Sequence, residues 1–148
     1  MTNTMPQNGF YAKVRRGLPA ILSRWLEQGR GDADQLALIL AETARVAGLG
    51  HPEFTPDGAT LTRWSQGSED VPLWAAKTAV FLLIQMPARP QPDNNDEACG
   101  WAYCWLRNRH HANLHEALQA LPEHLRQQPT LRAAMADAWQ DHQGLRLI

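Results

Sequence analysis

The chain has 148 residues, 44% of them apolar and 20% charged, and its formal net charge is −1. This size and composition predict a globular protein with its own hydrophobic core, in one domain or in one domain with a small appendage, and exclude a disordered chain. A net charge so close to zero argues against an extensive nucleic-acid footprint.

The cysteines and the apolar stretches indicate a cytoplasmic protein without a membrane segment. The two cysteines, Cys99 and Cys104, lie on different faces of a predicted helix, so they are not expected to form a disulfide. The first ten residues lack the basic and then apolar layout of a signal peptide. The longest apolar stretch, 71–86, is interrupted by Lys77 and Gln85 and is shorter than the roughly 18 residues that a membrane span needs.

The first helical pattern begins at Phe10, and its apolar residues recur on one helical face. Pro19 lies inside the pattern and lacks the N–H group that a helix interior uses. Two interpretations follow. Either a short first helix ends near Arg16, or Pro19 occupies the first turn of a helix that ends at Gln28.

Asp32 and Gln35 have the spacing of a capping box and predict the start of a second helix, 33–47. Gly48 and Gly50 are expected to end it. This helix is apolar on nearly every side, which is typical of a helix in the middle of a bundle or in an interface.

Thr55, Pro56 and Asp57 predict the start of a third helix, which ends before Gly67. Leu61 and Trp64 fall on one side of this helix. The opposite side has polar or small residues, namely Ala59, Thr62, Arg63 and Gln66.

Pro72 is expected to open a fourth, strongly apolar helix that runs to about Gln85. In the C-terminal part, Asp96 is a predicted N-cap, Asn113 with Glu116 predicts another helix start, and a last helix is expected to end at Gly144.

These patterns predict an all-α fold of six or seven helices with no strand. We expect an N-terminal helical bundle at 10–86, a Pro-rich linker at 87–96 and a small helical unit at 97–143.

The segment TLTRWSQG, followed by VPLWAAKTAVFLL, resembles the recognition helix and the next helix of Cro-type (XRE-like) helix-turn-helix repressors. Upstream, AETARVAGLG is similar to the first helix of that motif, so the resemblance covers about residues 40–84. The chain departs from the family between Gly50 and Trp64, because the insert HPEFTPDG exceeds the tight turn of the motif and must loop out.

The resemblance implies a DNA-binding regulator of phage or mobile-element type that is expected to form a homodimer and to bind double-stranded DNA. Thr62, Arg63 and Gln66 would then face base edges, with Arg reading guanine and Gln reading adenine. Phosphate contacts would come from Arg15, Arg16 or Lys77. Whether this face reads bases or contacts a protein, Arg63 must be neither buried nor ion-paired within its own chain.

The sequence contains no motif that predicts catalysis or a cofactor. The serines lack a nucleophile-elbow setting, and no Gly-rich loop follows a strand. Cys104, His111 and His115 are weak metal-ligand candidates, since His111 and His115 are four residues apart, but the chain has no C-x-x-C or H-E-x-x-H pattern. We therefore expect no enzyme, no cofactor and no metal.

The alternative function is a non-enzymatic protein–protein interaction module, or an inhibitor that binds a host protein complex. Two nearly all-apolar helices, 33–47 and 72–85, are more than a small bundle can easily bury. An interface would bury the surplus apolar surface, and the six Trp residues are of a type that is enriched at such interfaces.

Overall fold

A computed structural model of the protein describes residues 6–147, and the side chains of residues 9–143. Within this part of the chain there are eight α-helices and no strand, which confirms the predicted all-α class. The helices are α1 (Pro6–Gln28), α2 (Ala33–Ala47), α3 (Gly58–Gln66), α4 (Leu73–Leu83), α5 (Asn95–Asn108), α6 (Leu114–Gln119), α7 (Glu123–Arg126) and α8 (Pro129–Leu147). No helix in residues 6–147 is both long and apolar enough to cross a membrane.

The chain divides into two compact units. The middle unit is 18–90, and the terminal unit combines the residues up to Gly17 with those from Gln91 onward. One boundary therefore falls inside α1, so residues 10–17 of the predicted N-terminal bundle group with the C-terminal helices.

The middle unit packs α2, α3, α4 and the second half of α1 around one core. The Trp25 indole N–H donates to the Leu36 carbonyl oxygen at 3.2 Å, which joins α1 to α2. Trp64 of α3 packs edge-on against Trp74 of α4, with ring centroids 5.9 Å apart. The buried apolar residues are Ile21, Leu22, Trp25, Leu36, Ala37, Leu40, Ala41, Ala44, Leu49, Leu61, Trp64, Ala75, Ala76, Ala79, Val80 and Leu83.

The segment 48–57 returns along α2 before α3 begins. The Arg45 guanidinium donates to the Pro52 carbonyl oxygen at 3.4 Å and to the Thr55 hydroxyl at 3.5 Å. At the end of this segment, the Gly58 amide donates to the Asp34 carboxylate at 2.6 Å. The first residue of α3 therefore lies beside the first turn of α2.

The terminal unit is built on α5 and α8. Glu97, buried in the first turn of α5, accepts hydrogen bonds from the Trp101 indole N–H and the Asp93 amide, each at 3.0 Å. The core of this unit consists of Val14, Ala98, Cys99, Trp101, Ala102, Cys104, Trp105, Leu106, Ala117, Leu121, Leu125, Leu131, Ala134, Met135, Ala138 and Trp139.

Local start and stop signals are confirmed at three helices. Asp32 and Gln35 form a reciprocal capping box at 2.8 Å for both hydrogen bonds. Asn113 accepts from the Glu116 amide at the start of α6. Gly67 ends α3 with φ 75°, the left-handed conformation that favours glycine.

Both interpretations of Pro19 are wrong, because α1 is one continuous helix that contains it. An interior proline costs about 3 kcal/mol. Buried side chains on both sides of it, Val14 before and Ile21 and Leu22 after, offset that cost, since each full burial contributes about 1.5–3 kcal/mol.

Three other helix boundaries differ from those expected. Asp57, rather than Thr55, caps α3, and Asn94, rather than Asp96, caps α5, because these side chains reach the amides three residues ahead. The last helix continues through Gly144 to Leu147. A glycine at a helix end is only a permissive stop signal.

Candidate interaction surfaces

The polar face of α3 carries the three residues predicted to read bases. Thr62 is half-buried, and its hydroxyl donates to the Gly58 carbonyl oxygen at 2.9 Å. Gln66 is exposed. Leu61 and Trp64 on the opposite side are buried, so the two predicted faces of this helix are confirmed.

Arg63 is exposed but does not meet the condition set for a base-reading arginine. Its Nε donates to a Glu69 carboxylate oxygen at 3.3 Å, and its Nη2 donates to the Thr60 hydroxyl at 3.1 Å. An exposed ion pair of this kind is worth about 0–1 kcal/mol. The guanidinium is therefore engaged within its own chain, although weakly.

Negative charge surrounds both ends of α3. At the N-terminus, Asp57 accepts from the Thr60 amide, and this hydrogen bond lowers the pKa of the Asp57 carboxyl. The Asp34 carboxylate lies beside it on Gly58. Glu69 and Asp70 follow the C-terminus. These four carboxylates would repel the phosphates of a nucleic acid near this helix, which opposes nucleic-acid binding.

The α2–α3 pair also lacks a short turn. A helix-turn-helix joins its helices by about three to four residues. Here the segment 48–57 connects them, and α3 starts at the first turn of α2.

The predicted phosphate contacts do not gather on one element. Lys77 is half-buried on α4 in the middle unit. Arg15 and Arg16 are exposed on the part of α1 that belongs to the terminal unit. Arg16 pairs with Asp96 at 3.0 Å, and this hydrogen bond raises the pKa of its guanidinium.

The metal-ligand candidates are dispersed. Cys104 is buried on α5, His111 is buried after that helix, and His115 is exposed on α6. Burial also raises the pKa of the Cys99 thiol. No group of three or more His, Cys, Asp or Glu side chains in the described part of the chain could hold a metal ion.

A second surface, on α2, is apolar and exposed. Leu38 is 44% exposed, Ile39 38% and Val46 90%. Glu42 and Arg45 lie between them and are also exposed. These five residues recur at the spacing of one helical face, and we call them the outer row of α2.

Phe54 is a further exposed apolar residue, in the segment that returns along α2. It is 75% exposed in the segment 48–57. The Arg45 hydrogen bonds to Pro52 and Thr55 hold the residues on both sides of Phe54 against the C-terminal half of α2. The sequence predicted surplus apolar surface on 33–47, but the inward or outward direction of each residue depends on where α1, α3 and α4 pack.

The other apolar helix, α4, is mostly covered. Six of its residues are buried, and Leu73 in its first turn is the large apolar residue that stays 39% exposed. The surplus apolar surface of the middle unit is therefore concentrated on α2.

Comparisons with known proteins found no matching protein family, no matching curated protein and no matching solved structure.

Proposed function

We propose that the protein is a non-enzymatic interaction module that acts in the cytoplasm by binding a protein surface. The outer row of α2, together with Phe54, is its binding surface. The observation that carries this proposal is the exposure of Val46 and Phe54, at 90% and 75%, beside two further partly exposed apolar side chains. Exposed apolar residues that share one helical face with charged side chains can form a protein-binding surface.

The energetics support an interface here. Full burial of a large apolar side chain contributes about 1.5–3 kcal/mol. Val46 and Phe54 would gain most of this on binding, whereas Leu38 and Ile39 are already more than half covered and would gain less. The total from this side is several kcal/mol, of the same order as the cost of association, so binding must also draw on the apolar surface that the partner buries.

A thiol introduced by Val46→Cys tests this proposal. Both natural cysteines are buried, so the introduced thiol should be the one that reacts quickly with a maleimide. A bound partner should slow that reaction in concentrated extract of cells that produce the protein. An unchanged reaction rate in that extract would contradict the proposal.

DNA binding through α3 is the second candidate. It is favoured by the exposed Arg63 and Gln66 opposite a buried Leu61 and Trp64. This candidate requires Arg63, which is ion-paired with Glu69 in the free chain, to exchange that partner for a base. The pair is worth about 0–1 kcal/mol and a bidentate guanine contact about 1–3 kcal/mol, so the exchange would be favourable. Regulation of transcription would follow from such binding.

A salt titration of binding to random duplex DNA, measured by fluorescence anisotropy, tests the second candidate. If α3 docks on DNA, affinity should fall steeply with salt, and Glu69→Gln should strengthen binding by releasing Arg63. Arg63→Ala should weaken binding to a specific site by about 1–3 kcal/mol. No binding at low salt, or equal binding by both variants, would contradict a role for α3.

A further inference from the structure

We infer that the occupant of the outer row of α2 is the same row on a second copy of this chain, packed antiparallel about a two-fold axis. This inference rests on the proposed function, because both use the same surface. It names the partner as the chain itself.

The charges of the outer row are self-complementary. Glu42 and Arg45 are both exposed and lie within one turn of each other, between the apolar residues. A parallel pair of α2 helices would set Glu42 level with Glu42 and Arg45 level with Arg45. An antiparallel pair reverses the order and sets each Glu42 beside the Arg45 of the other copy, as a two-fold contact requires.

The apolar residues are compatible with nearly the same axis. The centre between Leu38–Ile39 and Val46 falls near residue 42, and the centre between Glu42 and Arg45 falls between residues 43 and 44. With about 1.5 Å of rise per residue, the two centres lie within about 2 Å along α2. One two-fold axis near Thr43 therefore brings Val46 of each copy against Leu38 and Ile39 of the other while it pairs the charges.

Arg45 can serve both contacts. Its Nη2 atom donates to Pro52 and Thr55 at 3.4–3.5 Å, which are long hydrogen bonds. A guanidinium has five N–H donors, so others can reach the Glu42 carboxylate of the second copy. Phe54, held next to Arg45, would extend the apolar contact at each end.

The contact is small. One helical row and one aromatic side chain from each copy bury less than a standard interface of about 1,600 Å². We therefore expect a weak dimer, with a Kd between about 1 µM and 1 mM.

Sedimentation equilibrium of the full chain, from about 5 µM to 1 mM, tests this inference by charge reversal. Glu42→Arg alone and Arg45→Glu alone should each raise the dimer Kd about tenfold or more, because each places like charges side by side. The double variant E42R/R45E should bind about tenfold more tightly than either single variant, and it stays weaker than the wild type because it lacks the Arg45 hydrogen bonds to Pro52 and Thr55. Glu27→Arg, an equal charge change at an exposed position of α1, is the control and should leave the Kd unchanged.

Val46→Asp distinguishes loss of the dimer from loss of the fold. Because this side chain is 90% exposed, the variant should keep its helical circular dichroism and melting temperature while it abolishes the dimer. A wild-type chain that stays monomeric at 1 mM, or a double variant no better than the single ones, would overturn the inference.

The outcome separates this inference from the proposed function. A monomeric chain whose Val46→Cys thiol is nevertheless covered in cell extract keeps the proposed function and overturns the second copy as occupant. If the chain is monomeric and the introduced thiol also reacts at full rate in cell extract, the inference and the proposed function are both overturned.

Discussion

His111 is a buried imidazole whose surroundings favour its neutral form. It is 8% exposed, its ring centroid lies 5.7 Å from that of Trp105, and its Nε2 has no hydrogen-bond partner. Trp105 in turn donates to the Ala117 carbonyl oxygen at 2.9 Å and so joins α5 to α6. His111 therefore covers the aromatic side chain that joins these two helices.

Several groups act on the protonation of His111. Burial is the main cause that lowers its pKa, and Arg109 and His110 lower it further. A hydrogen bond to the Trp105 backbone and the charge of Glu116 act in the opposite direction but do not prevail. Arg109 also lies over the Trp105 ring, at 5.1 Å, so protonation of His111 would bring a second cation to the same indole.

The stability of the fold should therefore decrease in mild acid. The folded pKa of His111 lies below the unfolded value of 6.5, so the unfolded chain binds the proton more readily. The stabilising contribution is complete above pH 6.5 and is lost as the pH falls from there through the folded pKa. Urea unfolding at several pH values between 5 and 8 should show this decrease.

His111→Phe keeps an aromatic ring in this position and removes the titration. We expect its unfolding free energy to depend less on pH over the same range. His115→Gln, a change at an exposed histidine of α6, is the matched control and should retain the wild-type dependence. An unaltered pH dependence in His111→Phe would show that other groups cause it.

At the scale of elements, the terminal unit depends on a close approach of α1 to the start of α5. A Cβ atom added at Gly17 would overlap the Asp96 carbonyl oxygen and lie 2.9 Å from the Glu97 Cα. Both contacts are to backbone, which cannot move aside as a flexible side chain could.

Gly17→Ala should therefore destabilise the protein by about 1–3 kcal/mol, the usual cost of overpacking, even though alanine favours helix. Gly9→Ala on the same helix is the matched control, because an added Cβ there meets no atom within 4 Å. It should stabilise the protein by up to about 1 kcal/mol. Chemical denaturation measures both, and equal effects of the two variants would contradict the close contact at Gly17.

The accuracy of the sequence-based predictions differed between elements for a physical reason. The Asp32–Gln35 box and the Gly67 end depend on atoms within a few residues, so the local sequence is sufficient to predict them. The continuation of α1 through Pro19 depends on side chains buried by distant parts of the chain. No local pattern contains that information.

At the scale of the whole molecule, the fold class followed from periodicity, but the proposed binding surface did not. The sequence indicated that α2 is apolar nearly all round, without showing which residues stay outside. Leu36 and Leu40 are buried, whereas Leu38 and Ile39 between them are partly exposed, because α1, α3 and α4 cover only part of the helix. The outer row therefore required the packed structure.

The charge distribution supports the proposed protein contact more than nucleic-acid contact in the middle unit. Four carboxylates, Asp34, Asp57, Glu69 and Asp70, lie at or beside the two ends of α3, and its single arginine pairs with Glu69. The outer row of α2, in contrast, has one charge of each sign within an apolar surface. Such a surface can be buried without leaving a net charge unpaired.

The most direct test of the interaction surface is maleimide labelling of Val46→Cys in buffer, at about 5 µM and at about 1 mM protein, and in concentrated extract of cells that produce the protein. Gln140→Cys, an exposed polar position on α8, is the control. We predict that the thiol at residue 46 reacts rapidly in dilute buffer and more slowly at high protein concentration or in extract, while the control thiol reacts equally in all three after correction for competing thiols. Equal rates at residue 46 under all three conditions would contradict the proposal that α2 carries the binding surface.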